Sequence, residues 1–456
     1  MKYCLGALIA LIGCARLSKP ADLVLSACTL PEVEVPAQCG SLEVGEDREA
    51  RAGRTIRLRV AVIPAEGPDS SADPVFIIVG GPGQSAVDNA ASYARLLSEV
   101  RRTRPLVFVD QRGTGGSSPL RCDLYSSEPA GVLGDFMPPA AVSRCLRELE
   151  DSADLRFYNS ELAADDLDDV RRALGYSTIN LEAASYGTRV ALAYLRRHGG
   201  SVRSAVLRSV SPPWARQPLD FAKDAQAAFD SLLAACQGDC ASAFPIVRAE
   251  LDSVLARLER LGTPLARGPF AEKVRFMLYS PGLSALLPLL IHRAFLGDFE
   301  PFTELATDIG KQIANLAHNG MYLSVTCTED VPQITPAEAA DPSEGTFLGN
   351  YRVQQQVEAC KLWPKGEVSR DFAAPFESSV PVLLISSTID PVTPAYQADS
   401  VARGFSKGLH LKVPNVGHSP STPCVMGIVT RFIQAASVEG LDTSCLAEHK
   451  RPPFAT

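Results

Sequence analysis

The stretch that most constrains this chain is residues 177–197, S-T-I-N-L-E-A-A-S-Y-G-T-R-V-A-L-A-Y-L-R-R. It opens with the β-type residues Thr178, Ile179 and Leu181 and continues with Val190, Ala191 and Tyr194 at helical spacing. Between the two lies Ala183-Ala184-Ser185-Tyr186-Gly187. A serine at a strand-to-helix junction, with small residues two places before and after it, has the form of a nucleophile elbow. The turn is too tight for a large side chain on either flank. It lifts the hydroxyl above the sheet and aims a helix N-terminus at the reacting oxygen. Alone, such a serine is a weak nucleophile, so the rest of the chain must supply a base and an acid.

Taken in order, the chain supplies a sheet. Residues 55–63 alternate as T-I-R-L-R-V-A-V-I, a half-buried strand. Residues 75–79 form a continuous apolar run, as expected for a strand covered on both faces, and lead into Gly80-Gly81-Pro82-Gly83. A second such run, 106–109, leads into Asp110-Gln111-Arg112-Gly113-Thr114-Gly115-Gly116-Ser117. Both glycine-rich loops thus follow strand C-termini, where open α/β sheets place their ligands. Residues 161–174 predict an amphipathic helix capped by Ser160 and stopped by Gly175. After the elbow comes a short strand at 205–207. From 212 to 378 the β runs give way to helical patterns, at 219–236, 245–261 and 283–296. The last of these is interrupted by Pro288, His292 and Arg293, which suits a buried or amphipathic helix and not a membrane span. The sheet pattern returns at 380–386 and 409–413, before a final amphipathic helix at 425–436. The expected fold class is α/β: a mostly parallel sheet with a helical cap inserted between sheet strands.

The serine needs a histidine, and the histidine needs a carboxylate to fix its tautomer. The returning strand at 380–386 runs into Thr388-Ile389-Asp390-Pro391-Val392-Thr393-Pro394, and the next strand runs into Pro414-Asn415-Val416-Gly417-His418. Of only six histidines, His418 alone combines a glycine neighbour with a loop that follows a strand. His292 falls in a cap helix as a structural or lining residue, and His198 ends a helix where a cation suits the dipole. Ser185, Asp390 and His418 therefore occur in the order serine, acid, histidine, each just beyond a strand. The backbone N–H groups of Tyr186 and Gly81 are the expected oxyanion donors, because Pro82 has none to give.

Together, G-G-P-G, D-Q-R-G-x-G-x-S, A-x-S-Y-G-T-R, D-P-V-T-P and the final G-H resemble the proline iminopeptidase and tripeptidyl aminopeptidase group of α/β-hydrolases. The resemblance covers most of residues 50 to 446, including a TAP-like C-terminal segment. It implies an α/β-hydrolase fold and release of residues from peptide N-termini through an acyl-enzyme on Ser185. It also implies that neither a metal nor a cofactor takes part. Val79 stands where a histidine often precedes G-G-P-G, and Ala183 stands for the first elbow glycine; neither change removes a reacting group. Cap glutamates bind the substrate ammonium in proline iminopeptidases, and Thr326-Cys327-Thr328-Glu329-Asp330 looks similar. Glu329 is the first expected amine anchor and Asp330 the second. The alternative activity is that of an esterase or other acyl hydrolase with the same triad. A binding protein on an inactive scaffold is disfavoured by the intact triad.

The N-terminus points to export. Lys2 precedes a short apolar run, residues 4–13, ending Leu11-Ile12-Gly13-Cys14, which resembles a lipobox with Cys14 as the lipidated residue. Removal of Cys4 and Cys14 leaves an even ten cysteines, as suits an oxidising compartment. Spacing alone does not fix connectivity; nearest neighbours give Cys28/Cys39, Cys122/Cys145, Cys236/Cys240, Cys327/Cys360 and Cys424/Cys445. A zinc site is disfavoured because no C-x-x-C is matched by a second ligand pair. A formal net charge of −8 argues against nucleic acid; the resemblance implies peptides as partners, and membrane contact is expected only through a lipid anchor at Cys14. The expected layout is a signal at 1–13, an irregular tether at 14–50 with a disulfide loop, core at 51–211, cap at 212–378, and core again at 379–456. The expected location is the periplasm or cell envelope.

Overall fold

The computed structural model describes residues 23–456 apart from 51, 68–72, 125–130, 132, 262–264, 317, 342 and 344. The signal segment and Cys14 lie outside the described residues. The described strands are β1 (Ser26–Cys28), β2 (Ala37–Gly45), β3 (Thr55–Ile63), β4 (Val75–Ile78), β5 (Leu106–Val109), β6 (Ile179–Ala184), β7 (Val202–Arg208), β8 (Val382–Ser387) and β9 (Gly408–Val413). They form one nine-stranded sheet in the order β1-β2-β3-β5-β4-β6-β7-β8-β9. From β5 to β9 every pairing is parallel, and β1 to β3 continue the sheet antiparallel at one edge.

The sequence explains this division. Every residue of β4, β5, β6 and β8 is buried, because helices cover both faces of a parallel sheet. Phe76 and Ile78 pack into one apolar cluster while Val75 and Ile77 pack into another on the opposite face. Each such side chain contributes roughly 1.5–3 kcal/mol on burial. β2, by contrast, alternates buried and exposed residues through Leu42, Glu43 and Val44, as an antiparallel strand with one packed face does.

The irregular tether needs correction: residues 26–45 are not free of structure but supply β1 and β2, and Cys28–Cys39 spans that pair. The first long helix is Ser160–Ala173, capped by the Asn159 side chain, which accepts from the Leu162 N–H at 2.9 Å. Ser160 is thus inside the helix instead of at its cap. The run at 283–296 is two helices, Pro281–Ser284 and Leu287–Phe295, with Pro288 in the first turn of the second. Between β7 and β8 the described chain is helical; its first helices form their own apolar centre around Phe229, Phe270 and Phe302, while Met321, Leu323, Val325 and Trp363 pack into the sheet's cluster. Phe270 and Phe302 stack with centroids 4.1 Å apart. The five disulfides join Cys28–Cys39, Cys122–Cys145, Cys236–Cys240, Cys327–Cys360 and Cys424–Cys445. Among the described residues no helix is long and apolar enough to cross a membrane.

Candidate active site

Ser185 follows β6 directly at φ 56° and ψ −131°. Such a backbone costs a non-glycine residue about 1–3 kcal/mol and persists only where its surroundings insist on it. Here the Ser185 N–H donates to the Arg208 carbonyl at 2.9 Å, and the Ser185 carbonyl accepts from the Thr188 N–H and hydroxyl at 2.9 and 2.6 Å. Gly187 lies against the end of β4, where a Cβ would come 2.2 Å from the Ile78 carbonyl oxygen. Ala183 is fully buried on the other flank, so its methyl group already fills the space the turn allows.

The loop after β9 brings His418 to the elbow: its Nε2 lies 2.9 Å from Ser185 Oγ and its Nδ1 2.8 Å from Asp390 Oδ2. The cap helps to hold the histidine. Its N–H donates to the Tyr279 carbonyl at 2.8 Å, and its ring meets the Tyr279 ring edge-on at 5.0 Å. Gly417 permits this approach, since a Cβ there would lie 1.9 Å from Tyr279 O.

Asp390 is buried, yet its carboxyl is held well below the usual carboxylate range. Burial alone would raise it; the charge and hydrogen bond of His418 and the Thr393 donors outweigh that. Oδ1 accepts from the Val392 and Thr393 N–H groups at 3.0 and 2.9 Å. Oδ2 accepts from the hydroxyls of Ser209 and Thr393 at 2.9 and 2.8 Å. Thr393 Oγ1 is also 3.2 Å from His418 Nδ1. In the sequence Thr393 stands within D-P-V-T-P with no role assigned to it, and Ser209 and Tyr279 lie outside every motif. Their contacts come from distant segments, and only the position of Thr393, three residues after the acid, left a local signal.

Ser185 and His418 open onto a cavity of about 580 Å³ between sheet and cap, also lined by Gly81 and Tyr186. Tyr186 is the first residue of the elbow helix, so its N–H has no acceptor within the helix. Gly80 lies close beneath, where a Cβ would sit 2.9 Å from Ser185 Cβ. The structure therefore brings Ser185, Asp390, His418, Gly81 and Tyr186 to one place.

The expected amine anchors separate. Glu329 ends the buried helix Asn319–Glu329, and its side chain is wholly shielded. It accepts from the Ser160 N–H and hydroxyl at 2.6 and 2.8 Å and from Arg189 at 3.2 Å. The expectation that Glu329 faces a substrate is thereby corrected: its carboxylate is taken up by Ser160 and Arg189, and Glu329 is not among the residues that line the cavity. Asp330 does line the cavity, with Oδ1 2.8 Å from Arg189 Nη1. Burial pushes Asp330 up to about 7, against the pull of Arg189 and with the nearby Glu329 charge adding to the rise. Arg275 and Arg352 line the same side and share Glu272. His292 pairs with Glu250 in the cap, and His198 with Asp165 at its helix end.

Residues 73–260 match the family described as alpha/beta hydrolase fold, and residues 345–445 match the one described as TAP-like protein. Serine protease Hip1 of Mycobacterium tuberculosis is 23% identical over 503 residues, spanning 96% of this chain and 95% of that protein. Carboxylesterase B of the same organism is 29% identical over 411 residues, 80% of this chain and 78% of that one. Tripeptidyl aminopeptidase of Streptomyces lividans is 26% identical over 462 residues, 91% of this chain and 85% of its own.

Proposed function

Because the chain belongs to the α/β-hydrolase family and carries a TAP-like C-terminal segment, we propose that it is an exported serine aminopeptidase. The observation that carries this reading is the unbroken line Ser185 Oγ, His418, Asp390 at the floor of a covered cavity. His418 Nε2 takes the Ser185 proton as Oγ attacks the scissile carbonyl. The resulting oxyanion accepts from the Tyr186 and Gly81 N–H groups. Collapse expels the amine, which takes its proton from His418, and leaves an acyl-enzyme on Ser185. Water then repeats the sequence and frees the new carboxylate. Asp390 stays ionised and holds His418 with its Nδ1–H toward the acid and its Nε2 lone pair toward Ser185.

Exopeptidase action is supported by the cap over the cavity and by Asp330, the carboxylate that an entering ammonium can reach there. Five disulfides support an oxidising compartment outside the cytoplasm, with Cys14 as lipid anchor. Peptides are the proposed partners. The likeness to a carboxylesterase favours a second reading, hydrolysis of simple esters by the same triad.

Paired kinetics separate the two readings: unblocked peptide anilides against their N-acetyl forms and short-chain acyl esters. The aminopeptidase reading expects cleavage of unblocked peptides and little of blocked ones; ester turnover alone overturns it. Ser185→Ala should abolish turnover and labelling by an organophosphonate, and retained labelling moves the nucleophile elsewhere. Mass analysis of the exported protein should find a lipid-modified Cys14 at its N-terminus; a first residue beyond Cys14 removes the anchor.

A further inference from the structure

The turn that offers the Gly81 N–H is fastened by a residue outside the triad. His318 immediately precedes the helix Asn319–Glu329 and is buried. Its backbone N–H donates to the Gly83 carbonyl at 2.9 Å, and its ring Nδ1 lies 2.8 Å from the same oxygen. Its Nε2 lies 3.2 Å from the backbone nitrogen of Gly115, in the loop after β5. A carbonyl oxygen can only accept and an amide N–H can only donate. Nδ1 therefore carries the proton and Nε2 the lone pair, so the ring is neutral.

Packing leaves this link little freedom. A Cβ at Gly83 would meet the His318 backbone oxygen at 2.8 Å and nitrogen at 3.0 Å. Asp110 fastens the residues just after the turn to the same loop. It accepts from the Ser85 hydroxyl at 2.7 Å, the Val87 N–H at 3.0 Å and the Gly116 N–H at 2.9 Å. The neutral imidazole thus ties the Gly80–Gly83 turn to the 110–117 loop, and the carboxylate ties residues 85–87, just beyond the turn, to the same loop.

We propose that His318 is a positioning residue for the oxyanion hole: as its Nδ1–H tautomer it fixes the Gly80–Gly83 turn so that the Gly81 N–H meets the developing oxyanion. The proposal rests on the serine-hydrolase reading above. The charged groups that face the ring are Asp110, Asp88 and Arg121, with Arg59 bridging the two aspartates. Burial moves the histidine below its ordinary pKa and Arg121 adds to that, against the Gly83 carbonyl and the two aspartates. Protonation at lower pH would turn Nε2 into a donor facing the Gly115 N–H, and the tie would break.

Two measurements test this. In the intact protein carrying nitrogen-15 histidine, the His318 ring, assigned by its loss in His318→Gln, should read as neutral Nδ1–H at pH 7. An Nε2–H tautomer or an imidazolium there overturns the proposal, whatever the kinetics of the variants. In kinetics, His318→Leu should lower kcat by ~10–100-fold with KM unchanged, equally on peptides and esters, as a displaced oxyanion donor does. Affinity for a peptide aldehyde, whose adduct places an oxyanion in the same hole, should fall by the same factor. His318→Gln should recover most of the loss, since its amide both donates and accepts. A rise in KM at constant kcat, or unaltered aldehyde affinity, marks His318 as part of the fold alone and overturns the proposal. A wild-type protein that neither hydrolyses these substrates nor reacts with a phosphonate overturns the serine-hydrolase reading itself, which the tautomer measurement does not touch.

Discussion

Asp390 below the cavity and Asp330 above it are both buried, and both lie near a cationic or ionisable partner, yet they are displaced in opposite directions. Asp390 sits in a core loop with donors on both oxygens, two of them backbone N–H groups fixed by the loop itself. Asp330 sits at a helix C-terminus, where the backbone presents carbonyls, beside a second carboxylate and a guanidinium already shared with it. Desolvation is the largest influence on each. The contrast shows that burial does not decide the charge of a carboxylate; the number and direction of its donors do. The core keeps its acid ionised to steer a histidine, while the cap holds an acid that titrates near neutrality.

The sharpest way to break the contrast is Asp390→Asn. Turnover should fall by ~10³–10⁴-fold with KM little changed, because the amide disfavours the His418 tautomer that leaves Nε2 free. A fall below tenfold in steady-state kinetics would show that the core acid is not the steering group. Next in size is Asp330→Asn. It should cost ~2–5 kcal/mol in kcat/KM on unblocked peptides and almost nothing on acyl esters, as for a charge pair that loses one partner. Equal losses on both substrates assign Asp330 to the fold. The wild type should also lose affinity for unblocked peptides as pH falls through about 7, where Asp330 protonates, and the variant should not.

Thr393→Val should be milder, about tenfold in kcat or ~1.4 kcal/mol, since it removes one donor among several to Asp390. If peptide and ester rates both stay intact, the threonine contact is incidental to steering. The smallest effect is on stability, read as the melting-temperature difference between each Asn variant and the wild type. The Asp330 carboxyl is raised, so the wild type bears an ionisation cost that grows as pH rises from ~3.9 through about 7, and Asp330→Asn should gain relative to it. Asp390 is lowered, so its contribution is complete above ~3.9 and is lost as pH falls below that, which shrinks the deficit of Asp390→Asn only in acid. Parallel pH trends in the two variants would erase the contrast.

How much of this was legible follows from where each signal lies. The strands β3, β4 and β5 announce themselves because burial on one or two faces leaves an alternating or continuous apolar run. The elbow, the acid and the histidine each follow such a run, so their order could be read directly. β1 and β2 could not: β1 is only three residues long, and A-Q-C-G-S-L-E-V-G of β2 holds two glycines and has mixed burial. The Asn319–Glu329 helix was equally silent. It is buried on nearly every side from Gly320 to Glu329, so no polar face marks its period and its terminal acids resemble a surface turn. Ser209, Tyr279 and His318 act through partners more than a hundred residues away, a relation that no local pattern carries; only Thr393, three residues after Asp390, stands close to its partner.

The five cross-links have a further property as a set: along the chain each closes before the next begins, and none encloses another. A chain emerging N-terminus first from a translocation channel would present each cysteine with its correct mate as the next to arrive. Pairing in simple order of appearance then yields the native set, with no exchange among finished bonds. Because among the described residues no disulfide joins residues 212–378 to the rest, oxidation could be completed in core and cap separately, leaving their packing to non-covalent contact.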